Sequence, residues 1–156
     1  MSTVTVTYAV EAPVGRVWQV FTDLPARVGW LTSVVDVAVD SAGPFDVGTS
    51  WRETRMLAGG ERVPEEFHVT ECRPYECCVI ASPGVGADYR MTYTFADAPG
   101  AATVVSAVQE GGPIRPGGRL LVTVLGGLAA RTSEGALRQD LADLATAAAR
   151  PAGAAA

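Results

Sequence analysis

The stretch that decides the fold is residues 3–21, which reads TVTVTYAVEAPVGRVWQVF. Its first eight residues alternate threonine or alanine with larger apolar side chains. At a period of two, one face therefore carries Val4, Val6, Tyr8 and Val10. This alternation predicts a strand with one face in the core and the other in water.

An amphipathic helix is predicted immediately after this strand. Pro13 suits the first helical position, where its missing N–H costs nothing. Apolar residues then recur at the helical spacing i, i+3, i+4 and i+7, namely at Val14, Val17, Trp18 and Phe21. Asp23-Leu24-Pro25 ends this helix, and residues 24–30 are predicted to form a second short helix or a turn.

Six extended segments follow, separated by turn residues. Gly59-Gly60 is typical of a hairpin, and a turn at 97–100 separates the last two segments. The predicted strands are 33–40, 49–57, 62–72, 75–82, 87–96 and 102–110. Together with the first strand they predict a seven-stranded antiparallel sheet.

A long C-terminal helix is predicted over residues 119–150, which are rich in Leu and Ala and contain no proline. Since an antiparallel sheet must cover one face, we expect an α+β fold in which the sheet curves around this helix. A hollow between the two is the expected binding site. One domain over 1–150 and a disordered tail over 151–156 are expected.

The predicted helix changes character along its length. The stripe expected to face the sheet carries Leu137, Leu141, Leu144 and Ala148, opposite Gln139 and Asp143. Extended backwards at 100° per residue, the same face passes through mostly small residues, namely Ser133, Ala130, Gly126 and Val122. The opposite face then carries Leu121, Val124, Leu125 and Leu128.

Two interpretations of this change remain open. In a continuous helix, which we favour, the small residues leave room over the sheet. Leu121, Leu125 and Leu128 then form an exposed patch for a partner such as a second copy of the chain. If the helix breaks near Gly126-Gly127 or near 133–135, the same leucines belong to the core, because two adjacent glycines make a break inexpensive.

Composition limits the classes of partner and compartment. The chain has 156 residues, 48% of them hydrophobic, which excludes a disordered chain. Its net charge of −5 argues against nucleic acid as a partner. The longest apolar stretch, 120–130, is about half of the ~20 residues that a membrane span needs. The N-terminus lacks the basic start of a secretory leader, so a cytoplasmic location is expected.

Cysteine and histidine usage gives no sign of a metal or cofactor. Cys72, Cys77 and Cys78 are odd in number and lack CxxC spacing, so we expect small core or surface thiols, with a redox pair as the alternative. His68 is the only histidine and is expected to point outward, although a pocket acid or base is the alternative. No Walker A, GxSxG or HExxH motif is present, and no metal or cofactor is expected.

Two predicted strands offer polar side chains to the hollow. Trp51, Glu53 and Arg55 share one face of a strand, but charged residues lie on both faces. The alternation therefore leaves two possibilities. The charges form cross-strand ion pairs on a wet face, or Glu53 or Arg55 lies in the pocket, where an arginine could hold a ligand carbonyl or carboxylate.

The other strand alternates aromatic and apolar residues. Tyr89, Met91, Tyr93 and Phe95 predict a core face, part of which lines the cavity. Trp30 could lie at the mouth of the pocket or simply pack. The full predicted ligand-binding set is Trp30, Trp51, Glu53, Arg55, Phe67, Cys78, Ile80, Tyr89, Met91, Tyr93, Val122 and Gly126.

Several short motifs in this order resemble the START-like, helix-grip superfamily (SRPBCC), within it the polyketide cyclase/dehydrase branch. They are Val10-Glu11-Ala12-Pro13-Val14-Gly15-Arg16-Val17-Trp18, Asp23-Leu24 with Trp30, Val47-Gly48-Thr49, Val69-Thr70-Glu71-Cys72-Arg73-Pro74 and Asp140-Leu141-Ala142-Asp143-Leu144. The resemblance covers residues 3–148 and implies a helix-grip fold. The superfamily includes lipid and hormone carriers, polyketide aromatase/cyclases, chaperone co-factors and ring-hydroxylase subunits, and it has no universal catalytic motif.

Three functions are therefore expected as alternatives. The leading one is binding of a small hydrophobic or aromatic molecule, lipid- or polyketide-like, in the cavity. The second is a cyclase, aromatase or dehydrase acting on a poly-keto chain. The third is an interaction domain that uses the leucine patch. The fold alone does not decide among them.

Overall fold

The computed structural model describes residues 2–83, 88–112 and 134–151, and the elements in these ranges follow the predicted order. All seven predicted strands and both short helices are present. The elements are β1 (Ser2–Val10), α1 (Val14–Thr22), α2 (Arg27–Trp30), β2 (Val34–Val39), β3 (Ser50–Met56), β4 (Arg62–Arg73), β5 (Cys77–Pro83), β6 (Asp88–Ala98), β7 (Ala102–Gly112) and α3 (Glu134–Ala149).

The strands form one open antiparallel sheet in the order β1-β7-β6-β5-β4-β3-β2. Strands β2 to β7 are a meander, and β1 forms the other edge by pairing with β7, where Val6 lies opposite Ala107. The predicted hairpin between β3 and β4 is confirmed, and Gly60 supplies its left-handed position with φ +86°. The fold is the α+β helix-grip architecture that the sequence predicts.

Residues 3–21 form the strand and the helix that the spacing of their apolar residues predicts. Val6 and Val10 of β1 are buried while the alternating threonines are exposed. In α1 the buried side chains are Val17, Trp18, Val20 and Phe21. Pro13 lies one residue before the first helical position, so that prediction was off by one. Its backbone is extended, and its carbonyl accepts hydrogen bonds from the N–H groups of Arg16 and Val17 at 3.0 and 3.1 Å.

The predicted core stripe of the C-terminal helix is confirmed for α3, where Leu137, Leu141, Leu144 and Ala148 are all buried. The helix packs against β1, α1 and α2. Asp143 was expected opposite this stripe, yet it is also buried, at 7% exposure. Its Oδ2 accepts hydrogen bonds from the backbone N–H (2.9 Å) and the hydroxyl (2.8 Å) of Thr32, which follows α2, and its Oδ1 accepts one from Gln139 Nε2 at 2.9 Å.

Part of the predicted helix lies outside the described residues. The part of the helix outside the described residues begins at 119 and includes Val122, Gly126 and the leucine patch of Leu121, Leu125 and Leu128. The tail beyond Pro151 also lies outside the described residues. The choice between a continuous and a broken helix therefore stays open. Within the ranges described, no helix combines the length and the apolar content needed to cross a bilayer.

A cluster of aromatic rings joins α1 to the inner face of the sheet. The ring of Phe21 lies 4.9 Å from Tyr93 and 5.2 Å from Phe95, measured between centroids. Trp51 of β3 stacks on Phe67 of β4 at 5.4 Å. These rings lie next to polar side chains that are buried in the core.

Candidate functional site

The charged face of β3 points into the protein. Trp51 and Glu53 are each 1% exposed and Arg55 is 8% exposed, whereas Arg52 on the other face is exposed. The wet-face interpretation of this strand is therefore wrong. Burying the large indole of Trp51 takes Glu53 and Arg55 inward with it, because residues two apart share a face of a strand.

Glu53 is the centre of a buried polar network. Its Oε1 accepts hydrogen bonds from Arg27 Nη1 at 3.0 Å and from Trp51 Nε1 at 2.9 Å, and its Oε2 accepts one from Arg55 Nη2 at 3.2 Å. Burial acts to raise the pKa of this carboxyl, but the two guanidinium groups and the indole outweigh it. The net pKa of Glu53 is below its ordinary value, so the side chain is a carboxylate at neutral pH.

Arg55 links this network to the C-terminal helix. Its Nη1 donates to Asp140 of α3 at 2.7 Å (Oδ2) and 3.0 Å (Oδ1), and to Ser33 Oγ at 3.1 Å. Burial acts to lower the pKa of Arg55, but Asp140 and Glu53 raise it well above its ordinary value. The guanidinium therefore stays charged at any pH at which the protein folds.

Arg27 of α2 completes the network and is only 7% exposed. Besides Glu53, it donates from Nη2 to the carbonyl of Phe21 at 3.1 Å. Its guanidinium carbon lies 5.2 Å from the ring centroid of Phe21, 5.3 Å from that of Trp51 and 5.9 Å from that of Trp30. These cation–π contacts partly replace the hydration that a buried cation loses.

Two small cavities lie beside this network, with volumes of about 30 Å³ and 20 Å³. Both are lined by Arg27, Arg55, Tyr93 and Asp140, so we treat them as lobes of one site. The larger lobe is also lined by Trp51, Glu53, Phe67, Ile80, Met91, Gln109 and Leu137, and the smaller by Phe21, Trp30, Leu31, Leu141 and Leu144. Each lobe has room for about one or two water molecules, the size of a single functional group.

Tyr93 of β6 presents its hydroxyl to this site with only a weak partner. The hydroxyl donates to the Sδ of Met91 at 3.7 Å, and a thioether is a poor acceptor. Burial, followed by the charge of Asp140, raises the pKa of Tyr93, so the phenol is protonated at neutral pH. It is therefore a donor that a better acceptor could recruit.

Hydrogen-bond donors exceed free acceptors at the site. Among the described residues, the buried Nε–H groups of Arg27 and Arg55 have no hydrogen-bond partner. Both oxygens of Glu53 are already engaged. Arginine has only donors, so the site is complementary to a molecule that offers an oxygen acceptor.

The predicted ligand-binding residues are distributed as follows. Trp51, Glu53, Arg55, Phe67, Ile80, Met91 and Tyr93 line the larger lobe, and Trp30 lines the smaller one. Cys78 is fully buried and Tyr89 is half-buried, but neither lines these lobes. Val122 and Gly126 lie outside the described residues. His68 is exposed, as expected for an outward residue.

The three cysteines are free thiols, as expected. Cys77 and Cys78 are both buried, and burial is the main reason that the pKa of the Cys78 thiol rises to about 12. Among the described residues, no group of three or more His, Cys, Asp or Glu side chains could hold a metal ion.

Sequence reasoning missed Arg27, Gln109, Leu137 and Asp140 as lining residues of the larger lobe, and Phe21, Leu31, Leu141 and Leu144 as lining residues of the smaller one. Arg27 is the one charged residue in the short segment 24–30, and Asp140 directly precedes a leucine of the core stripe. Gln109 continues the inner face of Val105 and Ala107 on β7. Asp140 lies next to a leucine of the apolar stripe, and Gln109 lies at a position of β7 that the two-residue spacing assigns to the core face. A polar residue in such a place was the feature of the sequence that could have identified both.

The fold and the polar cavity together define a helix-grip protein with a cavity between the sheet and the helices. A family model described as polyketide cyclase / dehydrase and lipid transport matches residues 1–149. The chain belongs to this family.

Solved structures show the same fold at low sequence identity. The Zhui aromatase/cyclase from a Streptomyces species has a TM-score of 0.79 at 16% identity, with 99% of each chain covered. A protein from Thermus thermophilus has a TM-score of 0.73 at 19% identity, covering 94% of this chain and 97% of that one. The di-domain ARO/CYC protein BexL has a TM-score of 0.69 at 19% identity, covering 96% of this chain and 51% of BexL. Among curated proteins, none matches this sequence.

Proposed function

We propose that this chain binds a small, mostly apolar molecule, aromatic or lipid-like, between the sheet and α3, and holds it by a carbonyl or phenol oxygen. The observation that carries the proposal is the surplus of donors at the cavity. The Nε–H groups of Arg27 and Arg55 have no partner among the described residues, and the Tyr93 hydroxyl has only a thioether. Buried donors are normally satisfied, so an acceptor is the missing part of the site.

The remaining lining suits an apolar body. Phe67, Ile80, Met91 and Leu137 contribute carbon surface to the larger lobe. Since one lobe admits a single functional group, the ligand would place one oxygen there, bordered by these side chains, and its rings or chain would extend beyond the lobe. Sites for small organic molecules usually combine apolar walls with a few convergent polar groups in this way.

Cyclisation or dehydration of a poly-keto chain is the second candidate, favoured by the family and by the same donors. In such a reaction, a carbon between two carbonyls loses a proton to solvent, and a new C–C bond forms to another carbonyl carbon. The resulting alkoxide takes up a proton, and dehydration then releases one water. Arg55 and Tyr93 would stabilise the enolate oxygen, since fixed donors act where negative charge develops.

Binding ranks before catalysis because the described site lacks a free base. Glu53 is held by three donors and its pKa is lowered, which makes it a poor proton acceptor. His68 is exposed on the strand β4 rather than at the cavity. The third candidate, an interaction domain built on the leucine patch, concerns residues outside the described ranges.

Native mass spectrometry of freshly purified protein tests the proposal. The protein is examined as isolated, after addition of dihydroxyanthraquinone, and after addition of anthracene, which has the same ring frame without oxygens. We expect a complex with the quinone that survives dilution and little complex with anthracene. Equal retention of both, or of neither, would contradict binding through an oxygen. Incubation with a linear triketone, followed by loss of one water from the substrate mass, would favour the cyclase.

A further inference from the structure

A second, larger cavity lies where α1, α2 and the end of α3 meet. Its volume is about 210 Å³, several times that of either interior lobe. Its described lining comes from the helices and the segments next to them. These residues are Arg16, Gln19, Val20, Asp23, Ala26, Gly29, Trp30, Ala147, Arg150 and Pro151. We call it the α1–α3 groove.

Two arginines that are far apart in the sequence meet in this groove. Arg16 Nη2 donates to the backbone carbonyl of Arg150 at 3.4 Å, and Arg16 Nη1 donates to Gln19 Oε1 at 3.3 Å. Both hydrogen bonds are long, so neither commits the guanidinium strongly. Asp23 is the only acidic residue in the described lining, which leaves two cations against one anion there.

Two buried donors in the same lining have no partner. They are Arg16 Nε and Trp30 Nε1, which make no hydrogen bond to any described residue. A buried N–H without a partner is uncommon, and an acceptor such as a ligand oxygen would satisfy it. The positive charge and the two free donors therefore point to the same kind of ligand group, an oxyanion.

The rest of the groove is apolar. Val20 and Ala147 are buried, at 8% and 7% exposure, and Ala26 and Pro151 add carbon surface beside them. A bare inorganic anion would leave this wall and most of the volume unused. A short apolar body attached to the oxyanion would cover both.

We propose that the α1–α3 groove is a second binding site, for an amphipathic anion whose carboxylate or phosphate monoester head lies at Arg16 and Arg150 and whose alkyl body packs on Val20 and Ala147. The proposal does not depend on the proposed function. Among the lining residues that the structure describes, the groove shares only Trp30 with the interior lobes and includes none of the Glu53 network.

Isothermal titration calorimetry tests this site with four probes: octanoate, octyl phosphate, inorganic phosphate and octanol. The test variant is Arg150→Gln, whose side chain is exposed and whose loss should leave the fold intact. The matched control is Arg138→Gln, an exposed arginine of α3 that pairs with Glu134. Asp23→Asn removes the one opposing charge.

We expect octanoate or octyl phosphate to bind saturably, about three- to fivefold more weakly in Arg150→Gln and more tightly in Asp23→Asn. Arg138→Gln should match the wild type. The tighter of the two amphiphiles identifies the head group. Wild-type affinity in Arg150→Gln, octanol binding as tightly as the anions, inorganic phosphate binding as tightly as the amphiphiles, or no saturable binding would each overturn the proposal. Loss of quinone binding in the interior would leave this result unaffected.

Discussion

Arg55 on β3 and Asp140 on α3 form the ion pair that joins the sheet to the C-terminal helix, with Arg55 Nη1 2.7 Å from Asp140 Oδ2. The two side chains are 10% and 21% exposed, so most of their hydration is lost. The pair lies beside the cavity that we propose as the binding site, and it therefore fixes both the helix position and the orientation of a donor.

Asp140→Asn should lower the free energy of unfolding by about 1–3 kcal/mol, because the Arg55 guanidinium loses a charged partner in a mostly desolvated place. Urea denaturation measures the change. The control is Glu134→Gln on the same helix, which breaks an exposed ion pair with Arg138 and should change stability by about 0.5 kcal/mol or less. Equal effects of the two variants would show that Arg55–Asp140 is no more than a surface pair.

Glu53→Gln should lower the free energy of unfolding more than Asp140→Asn does, by about 3–5 kcal/mol. It leaves two buried guanidinium groups without a carboxylate between them. The control is Glu66→Gln, an exposed carboxylate on the other face of the same hairpin, opposite Arg52. If Glu53→Gln is too unstable to purify while Glu66→Gln purifies normally, the expectation is met. Near-wild-type stability of Glu53→Gln would contradict the network as described.

The stabilisation from Glu53 should depend on pH in a defined direction. Its pKa in the folded protein is below the ordinary value of 4.5, so the carboxylate contributes fully at pH above 4.5. That contribution is lost as the pH falls through the folded pKa. The difference in unfolding free energy between wild type and Glu53→Gln should therefore be constant near neutrality and shrink in acid. A difference that grows on acidification would mean that the pKa is raised instead.

Thr32 and Asp143 hold the segment after α2 against α3. Asp143→Ala removes the acceptor of two hydrogen bonds from Thr32 and of one from Gln139, and should lower the free energy of unfolding by about 1–3 kcal/mol. Thr32→Val removes only the hydroxyl donor and should cost about 0.5–1.5 kcal/mol. Thermal unfolding of the two variants checks this order. Equal costs of Thr32→Val and Asp143→Ala would contradict a contribution from the backbone N–H bond and the Gln139 bond.

The fold could be predicted from the sequence because its signals are local and repeated. β1 shows strict alternation, α1 shows helical spacing, and the turn residues separate the meander strands. The C-terminal stripe of Leu137, Leu141 and Leu144 identifies the helix face from its three- and four-residue spacing alone. Each of these patterns arises because folding buries apolar surface, and this burial is the dominant favourable contribution to the free energy of folding.

The polar site could be predicted only in part, because it depends on partners distant in sequence. Alternation could not choose the inner face of β3, since Glu53 and Arg55 would be costly there without Arg27 and Asp140. Those partners lie 26 positions before Glu53 and 85 after Arg55. The burial of Asp143 was not predicted for the same reason, because only the fold brings Thr32 to it.

The most direct test of the proposed function is a titration of dihydroxyanthraquinone into wild type, Tyr93→Phe and Tyr89→Phe, followed by calorimetry. Tyr93 lines both interior lobes, and Tyr89 on the same strand lines neither. Removing one hydroxyl donor should weaken binding severalfold to about tenfold in Tyr93→Phe, and Tyr89→Phe should bind like the wild type. Unchanged affinity in Tyr93→Phe, or no saturable binding to the wild type, would contradict a ligand held by its oxygen at this cavity.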